Sequence, residues 1–277
     1  MSQGALPFFK MTGSGNDFVM VDGRVSPAAD WSPERVREAC DRRMGVGADG
    51  LVVLTPESPD QVRMSFWNCD GSVAAMCGNA ALCSTRLAAL LGMAPAGGMT
   101  LVTGAGRFRT RCEPGDWQAA LNLPPVALPV PVPAVQLQPG ELSLHLGTVG
   151  VPHVILEVLD IEGIDLECRG RQLRYHPAIG PAGANVNFIG PVRAGEPTAI
   201  RTYERGVEGE TLACGTGTVA AALALAKSGR LGLPANFLTR GGRLLAVSAR
   251  LDEGRAEDIW LGGEGRLVFQ GQLPRTE

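Results

Sequence analysis

The sequence predicts an α/β protein of two homologous, pseudo-symmetric domains, each a curved mixed sheet wrapped round a central buried helix, with the active site in the cleft between them. Three observations carry that prediction. Sequence patterns recur in order at a nearly constant offset, a proline-rich stretch lies close to the midpoint, and each half holds one helix-forming run that is apolar nearly all round.

Gly15-Asn16-Asp17-Phe18-Val19-Met20-Val21 matches Gly150-Val151-Pro152-His153-Val154-Ile155-Leu156 at an offset of 135, and both read as a turn entering a buried strand. Gly47-Ala48-Asp49 before Leu51-Val52-Val53 matches Gly183-Ala184-Asn185 before Phe188-Ile189 at an offset of 136. Phe66-Trp67-Asn68 leading to Cys77-Gly78-Asn79 matches Tyr203-Glu204-Arg205 leading to Cys214-Gly215-Thr216 at an offset of 137. Chance gives one such match; three in order argue for duplication, and equivalent positions in two facing halves approach a common cleft from opposite sides.

Residues 124–140 hold six prolines and no charge, a composition that favours an extended, semi-rigid connector over helix or central strand. The predicted organisation is therefore a first domain of residues 1–123 plus 264–277, the connector 124–140, and a second domain of residues 141–263.

The halves differ from their surroundings most at two helix-forming runs. After Cys77-Gly78-Asn79 comes Ala80 to Leu91, closed by Gly92, and after Cys214-Gly215-Thr216-Gly217 comes Thr218 to Lys227, closed by Gly229. A cysteine at a helix entrance is ordinarily a small core residue. Here the helix N-terminus offers unpaired N–H groups and a partial positive charge, which lower the pKa of a nearby thiol and bind a carboxylate, and the following glycine lets a ligand approach the backbone.

Two such ends facing each other would grip one α-carboxylate with a sulfur on each face of the α-carbon. Inverting a stereocentre through a carbanion requires a base on one face and an acid on the other, and a thiolate and a thiol meet that requirement. Backbone donors would stabilise the enolate-like charge. The usual alternative, pyridoxal phosphate, needs a Schiff-base lysine, whereas the chain has only Lys10, near the N-terminus, and Lys227, at the far end of a buried helix. No cofactor is expected.

Bulk composition agrees with small-molecule chemistry. At 277 residues, with 45% hydrophobic and 19% charged residues, the chain can bury two cores of ordinary size. Its net charge of −3 comes from 25 basic and 28 acidic side chains without a long run of either sign, so nothing points to nucleic acid or an anionic membrane. Residues 1–10 lack a secretory pattern and no apolar run reaches membrane-spanning length, which implies a cytoplasmic address. The seven cysteines are an odd count without close CxxC pairs, and the three histidines (145, 153 and 176) are scattered, so neither a disulfide framework nor a metal site is indicated.

Gly45-Val46-Gly47-Ala48-Asp49-Gly50 fits GxGxxG, but the dinucleotide motif must follow a strand and open a helix. Here the order is reversed: Ser32 to Arg43 reads as a helix with a Ser cap and Pro33 at its first position, stopping at Gly45 before a buried strand.

The ordered set Ser14-Gly15-Asn16-Asp17-Phe18, Gly45 to Gly50, Asn68-x-Asp70-Gly71-Ser72, Cys77-Gly78-Asn79, Tyr203-Glu204-Arg205-Gly206 and Ala213-Cys214-Gly215-Thr216-Gly217 resembles the diaminopimelate epimerase family over essentially the whole chain. The resemblance implies interconversion of LL- and meso-diaminopimelate for lysine or cell-wall synthesis, without cofactor or metal, by two α/β domains in a homodimer. It implies that Cys77 and Cys214 are the acid/base pair, that Gly78, Asn79, Gly215 and Thr216 hold the carboxylate at the reacting centre, and that Asn16, Asn68, Asn185, Glu204 and Arg205 line the pocket and read the distal end of the substrate. Glu204 and His153 are the candidates for supporting a thiol. The chain departs from the family pattern at Val151, where Asn is usual, at Ala80 and Leu82, where the family has Gly and Arg, and at Gly50, where some members have Gln. Two other readings stay open: a related racemase or epimerase for another amino acid such as hydroxyproline, and a non-catalytic amino-acid-binding or thiol-switch protein.

Overall fold

The computed structural model describes residues 5–113 and 118–274. It divides into two compact units, residues 1–122 with 262–277 and residues 123–261.

In the first unit, β1 (Leu6–Gly13) pairs antiparallel with β2 (Asn16–Asp22) and with the C-terminal strand Arg266–Leu273. α1 (Pro33–Cys40) leads to β3 (Gly50–Ser58), which runs parallel to β2 and antiparallel to β4 (Gln61–Asn68). After α2 (Gly78–Leu90), β5 (Met99–Thr103) runs parallel to β4, and β6 (Gly106–Cys112) and β7 (Gln118–Leu123) extend the sheet antiparallel. α2 touches β1, β2, β3, β4, β5 and β6, so the sheet curls round it. Residues 79 to 85, 87 and 88 of α2 are buried, mostly apolar, and the hydroxyls of Ser84 and Thr85 are satisfied by the Ala80 and Ala81 carbonyls at 2.7 and 2.8 Å.

The second unit opens with the short strands β8 (Val126–Ala127) and β9 (Val130–Pro131), followed by β10 (Glu141–Val149) and β11 (Val151–Val158) as an antiparallel hairpin. α3 (Leu166–Arg174) precedes β12 (Asn185–Ile189), which is parallel to β11 and antiparallel to β13 (Thr198–Glu204). β14 (Gly209–Thr211) folds back on β13, α4 (Gly215–Lys227) follows, and β15 (Ala235–Thr239) runs parallel to β13 and antiparallel to β16 (Leu244–Asp252). β17 (Arg255–Glu264) pairs with β8, and β18 is the C-terminal strand already described. α4 touches β10, β11, β12 and β16 and is buried from Gly217 to Leu225.

The two units therefore repeat one plan. The sequence of strand senses, antiparallel, parallel, antiparallel, parallel, antiparallel, is the same from β1 to β6 and from β10 through β11, β12, β13 and β15 to β16. The parallel pairs even share a register: Phe18 faces Gly50, and His153 faces Asn185, 135 residues later in both strands. The central helices are each 13 residues long and are each followed by a glycine with positive φ, Gly92 at 63° and Gly229 at 71°.

Residues 124–140 lie within the second unit. They are extended, as their proline content requires, and they pack: β9 pairs with β10, and Val135 is buried in the core with Leu144, Val154 and Phe188. α1 starts as the sequence predicts, with Ser32 Oγ accepting the Arg35 N–H at 3.3 Å, but it stops at Cys40 instead of running to Arg43. The Asp41 carboxylate takes the N–H groups of Arg43 and Met44 at 2.7 Å each, which offers the backbone an alternative to the next helical turn. No helix among the described residues is long and apolar enough to cross a membrane.

α3 lies so close to β13 that a Cβ on Gly170 would stand 2.6 Å from the Tyr203 Cβ. Alanine is the better helix former by about 1 kcal/mol, but the clash is with an atom fixed to the backbone, and overpacking costs about 1–3 kcal/mol. Gly170→Ala is therefore expected to lower the denaturation midpoint in urea; an unchanged or raised midpoint would show that α3 can move off the sheet without cost.

Candidate functional site

Each unit carries its candidate residues at the N-terminus of its central helix. Cys77 is the N-cap of α2, with extended backbone at φ −141° and ψ 126°, and Cys214 is the N-cap of α4, at φ −132° and ψ 104°. Both cysteines are half-buried. In both helices the N–H groups of the first turn have no intrahelical acceptor, so Gly78 and Asn79 in one unit and Gly215 and Thr216 in the other present backbone donors beside a sulfur.

In the first unit a polar chain fixes the helix entrance. Asn16 Nδ2 donates to the Asp49 carboxylate at 2.9 Å, which can only accept, so Asn16 Oδ1 must face the other way and accepts from Asn79 Nδ2 at 2.8 Å. Asn79, 6% exposed, is left with its own Oδ1 buried and without a hydrogen-bond partner among the described residues. Asp49 in turn takes Arg42 at 2.7 Å, and Arg42 forks onto Asp17 at 2.7 and 3.0 Å. Lys10 reaches Asp17 at 2.6 Å and the Gly47 carbonyl. Burial alone would raise the Asp17 carboxyl, but the hydrogen bonds and charges of Arg42 and Lys10 outweigh it and hold it at about 2. Asn68 ends β4, its Nδ2 donating to Ser72 Oγ at 3.0 Å within an exposed turn. Burial, then the charges of Cys77 and Glu264, push the Cys83 thiol well up, and burial takes Cys40 to about 12, so these two thiols stay protonated and serve as core.

In the second unit the surroundings of the cysteine are different. Thr216 Oγ1 lies 3.8 Å from Cys214 Sγ and 3.1 Å from Nε2 of His153. His153 is fully buried; that burial, with the charge of Arg205 and against the Val149 carbonyl, lowers its imidazole to about 4, so the ring is neutral at working pH. Its Nδ1 faces Asn187 Nδ2 at 3.3 Å, and Asn187 Oδ1 accepts from Thr202 Oγ1 at 3.0 Å. Gly217 cannot carry a side chain here: a Cβ would overlap Asn187 Oδ1 and stand 3.2 Å from Cys214 Sγ. Asn185, buried at the start of β12, accepts the Arg205 backbone N–H at 2.8 Å. Burial raises the Glu204 carboxyl, with the Thr211 hydroxyl opposing it. Among the described residues Arg205 makes no ion pair; its Nη1 has only the Ala182 and Gly183 carbonyls, both at 3.5 Å. A guanidinium so placed retains its capacity for a carboxylate.

The fold thus groups Asn16, Cys77, Gly78 and Asn79 in one unit, and His153, Cys214, Gly215 and Thr216 in the other, with Asn185, Glu204 and Arg205 joined at the edge of β12 and β13. The departures Ala80 and Leu82 are fully buried in α2, facing core. Sequence reasoning passed over Asp49, Arg42, Asn187 and Thr202. A polar residue inside a strand as short and as fully buried as β12 was the signal available for Asn187, since buried polar groups need partners.

Similarity to known proteins follows the same division. The profile of the diaminopimelate epimerase family matches the chain over residues 8–118 and 146–256, one stretch in each unit. A diaminopimelate epimerase of Gemmatimonas aurantiaca is 42% identical over 97% of this chain and 99% of its own length, and one of Aquifex aeolicus is 36% identical over 97% and 98%. Among solved structures, a phenazine biosynthesis protein of the PhzF family from Bacillus anthracis superposes with a TM-score of 0.70 at 13% identity, covering 98% of this chain and 99% of that one, which is a likeness of fold.

Because Asp17 sits at about 2 in the folded protein and at 3.8 when unperturbed, its ion pairs stabilise the fold above about pH 4 and that contribution is lost as pH falls towards 2. The melting temperature of the natural protein is expected to drop more steeply across that window than that of Asp17→Asn. Parallel profiles would remove Asp17 from the account of acid stability.

Proposed function

Because the chain belongs to the diaminopimelate epimerase family, we propose that it interconverts LL- and meso-diaminopimelate, with Cys77 and Cys214 as the two proton-transfer groups. The observation that carries the reading is the repetition of one feature: in each unit, within each stretch the family profile matches, a half-buried cysteine caps the N-terminus of a helix that the sheet surrounds.

In the proposed reaction one sulfur, as thiolate, takes the α-proton from one face and becomes a thiol. The electron pair left on carbon spreads into the α-carboxylate, whose growing negative charge is met by the N–H groups of Gly78, Asn79, Gly215 and Thr216. The second sulfur, a thiol, delivers its proton to the opposite face and becomes a thiolate, so configuration inverts and the enzyme's proton inventory is unchanged. Asn16, Asn68, Asn185, Glu204 and Arg205 are assigned to the rest of the substrate, with Arg205 taking the distal carboxylate. His153 and Glu204 are assigned to thiol support.

The mechanism asks nothing of a cofactor. Lys10 is held by Asp17, and Lys227 donates to the Pro129 carbonyl at 3.0 Å, so neither ammonium is placed for Schiff-base chemistry. A cytoplasmic homodimer acting on a small amino acid is the setting this reading implies.

Purified, reduced protein without added cofactor is expected to exchange the α-hydrogen of diaminopimelate with D2O while inverting it, and Cys77→Ala or Cys214→Ala is expected to cut inversion by at least about a hundredfold. Full activity in either variant would refute the pair. Removing the distal guanidinium with Arg205→Ala is expected to raise KM for diaminopimelate by roughly 10- to 100-fold, and much less for an analogue lacking the distal carboxylate; equal effects on both would reject the distal role.

A further inference from the structure

We propose that Asn187 is a positioning residue for Cys214: it fixes His153 as the neutral Nε2–H tautomer, so that the ring donates to Thr216 and the Thr216 hydroxyl turns its own proton onto the Cys214 sulfur. This rests on the reading of Cys214 as one of the two proton-transfer groups.

The direction of each hydrogen bond follows from groups that have no choice. Asn187 Nδ2 lies 2.9 Å from the Val154 carbonyl, which can only accept, while Asn187 Oδ1 lies 3.0 Å from the Thr202 hydroxyl. The amide orientation is thereby set, with nitrogen towards Val154. The remaining Nδ2–H points at His153 Nδ1, 3.3 Å away, and that ring nitrogen must offer a lone pair. A neutral imidazole with an acceptor at Nδ1 carries its proton on Nε2, which lies 3.1 Å from Thr216 Oγ1. Thr216 accepts there, and its own O–H is free for Cys214 Sγ at 3.8 Å. The other groups that face the ring are the Val149 carbonyl, which accepts from a ring N–H and in the proposed tautomer shares the Nε2 proton with Thr216, and the Arg205 charge, which also disfavours an imidazolium. The links from Thr202 through Asn187 to the ring are buried, and the two that involve Thr216 are part-buried.

The duplication makes the assignment specific. At the equivalent positions of the first unit, 135 residues earlier, His153 and Asn187 are replaced by Phe18 and Val52, both buried and apolar. The chain of donors is present in one copy of a shared scaffold and absent from the equivalent positions of the other, and it makes the two half-sites chemically unequal. A hydroxyl donor favours thiolate over thiol, because it bonds the charged form more strongly.

The test uses the full-length protein. With 15N-labelled histidine only three rings report, and His153 is expected to show the Nε2–H pattern from about pH 6 to about pH 8. Alkylation of Cys214 by iodoacetamide, followed against pH by peptide mass spectrometry, is expected to shift its midpoint upward by about one pH unit in Asn187→Leu and in Thr216→Val, and to stay near its starting value in Thr216→Ser, which keeps the hydroxyl. A proton on Nδ1 in the natural protein, or an unmoved midpoint in Thr216→Val, overturns the proposal even should Asn187→Leu fail to fold. Inversion surviving in Cys214→Ala would instead overturn the two-thiol reading, and leaves the ring and alkylation results to be judged by themselves.

Discussion

A helix that a sheet surrounds can bury a polar group along its length only where its own carbonyls satisfy it, as for Ser84 and Thr85, so its unpaired backbone groups are left to its ends, and the rest of the structure depends on that constraint. α2 and α4 are built from alanine, leucine and other small or apolar residues because strands close on them from every side. Their first-turn N–H groups still require acceptors, and the hydrocarbon core around them supplies none. The N-terminus must therefore open onto something polar. A cysteine at that opening has a sulfur held beside a focus of partial positive charge by the buried central helix of its unit, which is how a packing requirement becomes a chemical site.

Duplication repeats the constraint but not the chemistry around it. In the first unit the helix entrance is tied down by amides and charges, running from Asn79 through Asn16 and Asp49 to Arg42, Asp17 and Lys10. In the second it is backed by a neutral histidine and two hydroxyls. Both arrangements satisfy buried polar groups, yet they differ in kind. One is an ionic brace that depends on carboxylate charge, the other a directional chain whose sense is set by one carbonyl. For a reaction that needs a thiolate and a thiol at once, unequal surroundings are useful, since two identical half-sites would favour the same protonation state in both.

Much of this was legible in the sequence because it depends on local chemistry or on repetition. Ser32 with Pro33 announces the start of α1, Gly92 and Gly229 the ends of the central helices, and matches at offsets from 135 to 137 the duplication. What escaped depends on partners distant in the chain. Asp41 halts α1 by bonding its own following amides, a competition that helix periodicity does not register. Lys10 reads as an ordinary lysine near the N-terminus, and only the fold shows it buried against Asp17. Thr202 bonds Asn187 on the neighbouring strand, and Asn187 in turn meets His153 on a third, so no spacing in the sequence joins them. The proline-rich stretch reads as a connector from composition, while its apolar residue Val135 finds a place in the core of the second unit.

The claim on which the chemistry turns is that two different sulfurs act, one taking the proton and the other giving it. The most direct measurement follows the label at early times in D2O, by mass spectrometry of both epimers separated from one reaction. The account predicts deuterium at the α-carbon of the product and ordinary hydrogen in the substrate recovered beside it, because the donor thiol has equilibrated with solvent while the acceptor has not returned what it took. Product that retains the original hydrogen, or label appearing equally in recovered substrate and product, would mean that a single base serves both faces and would contradict the account.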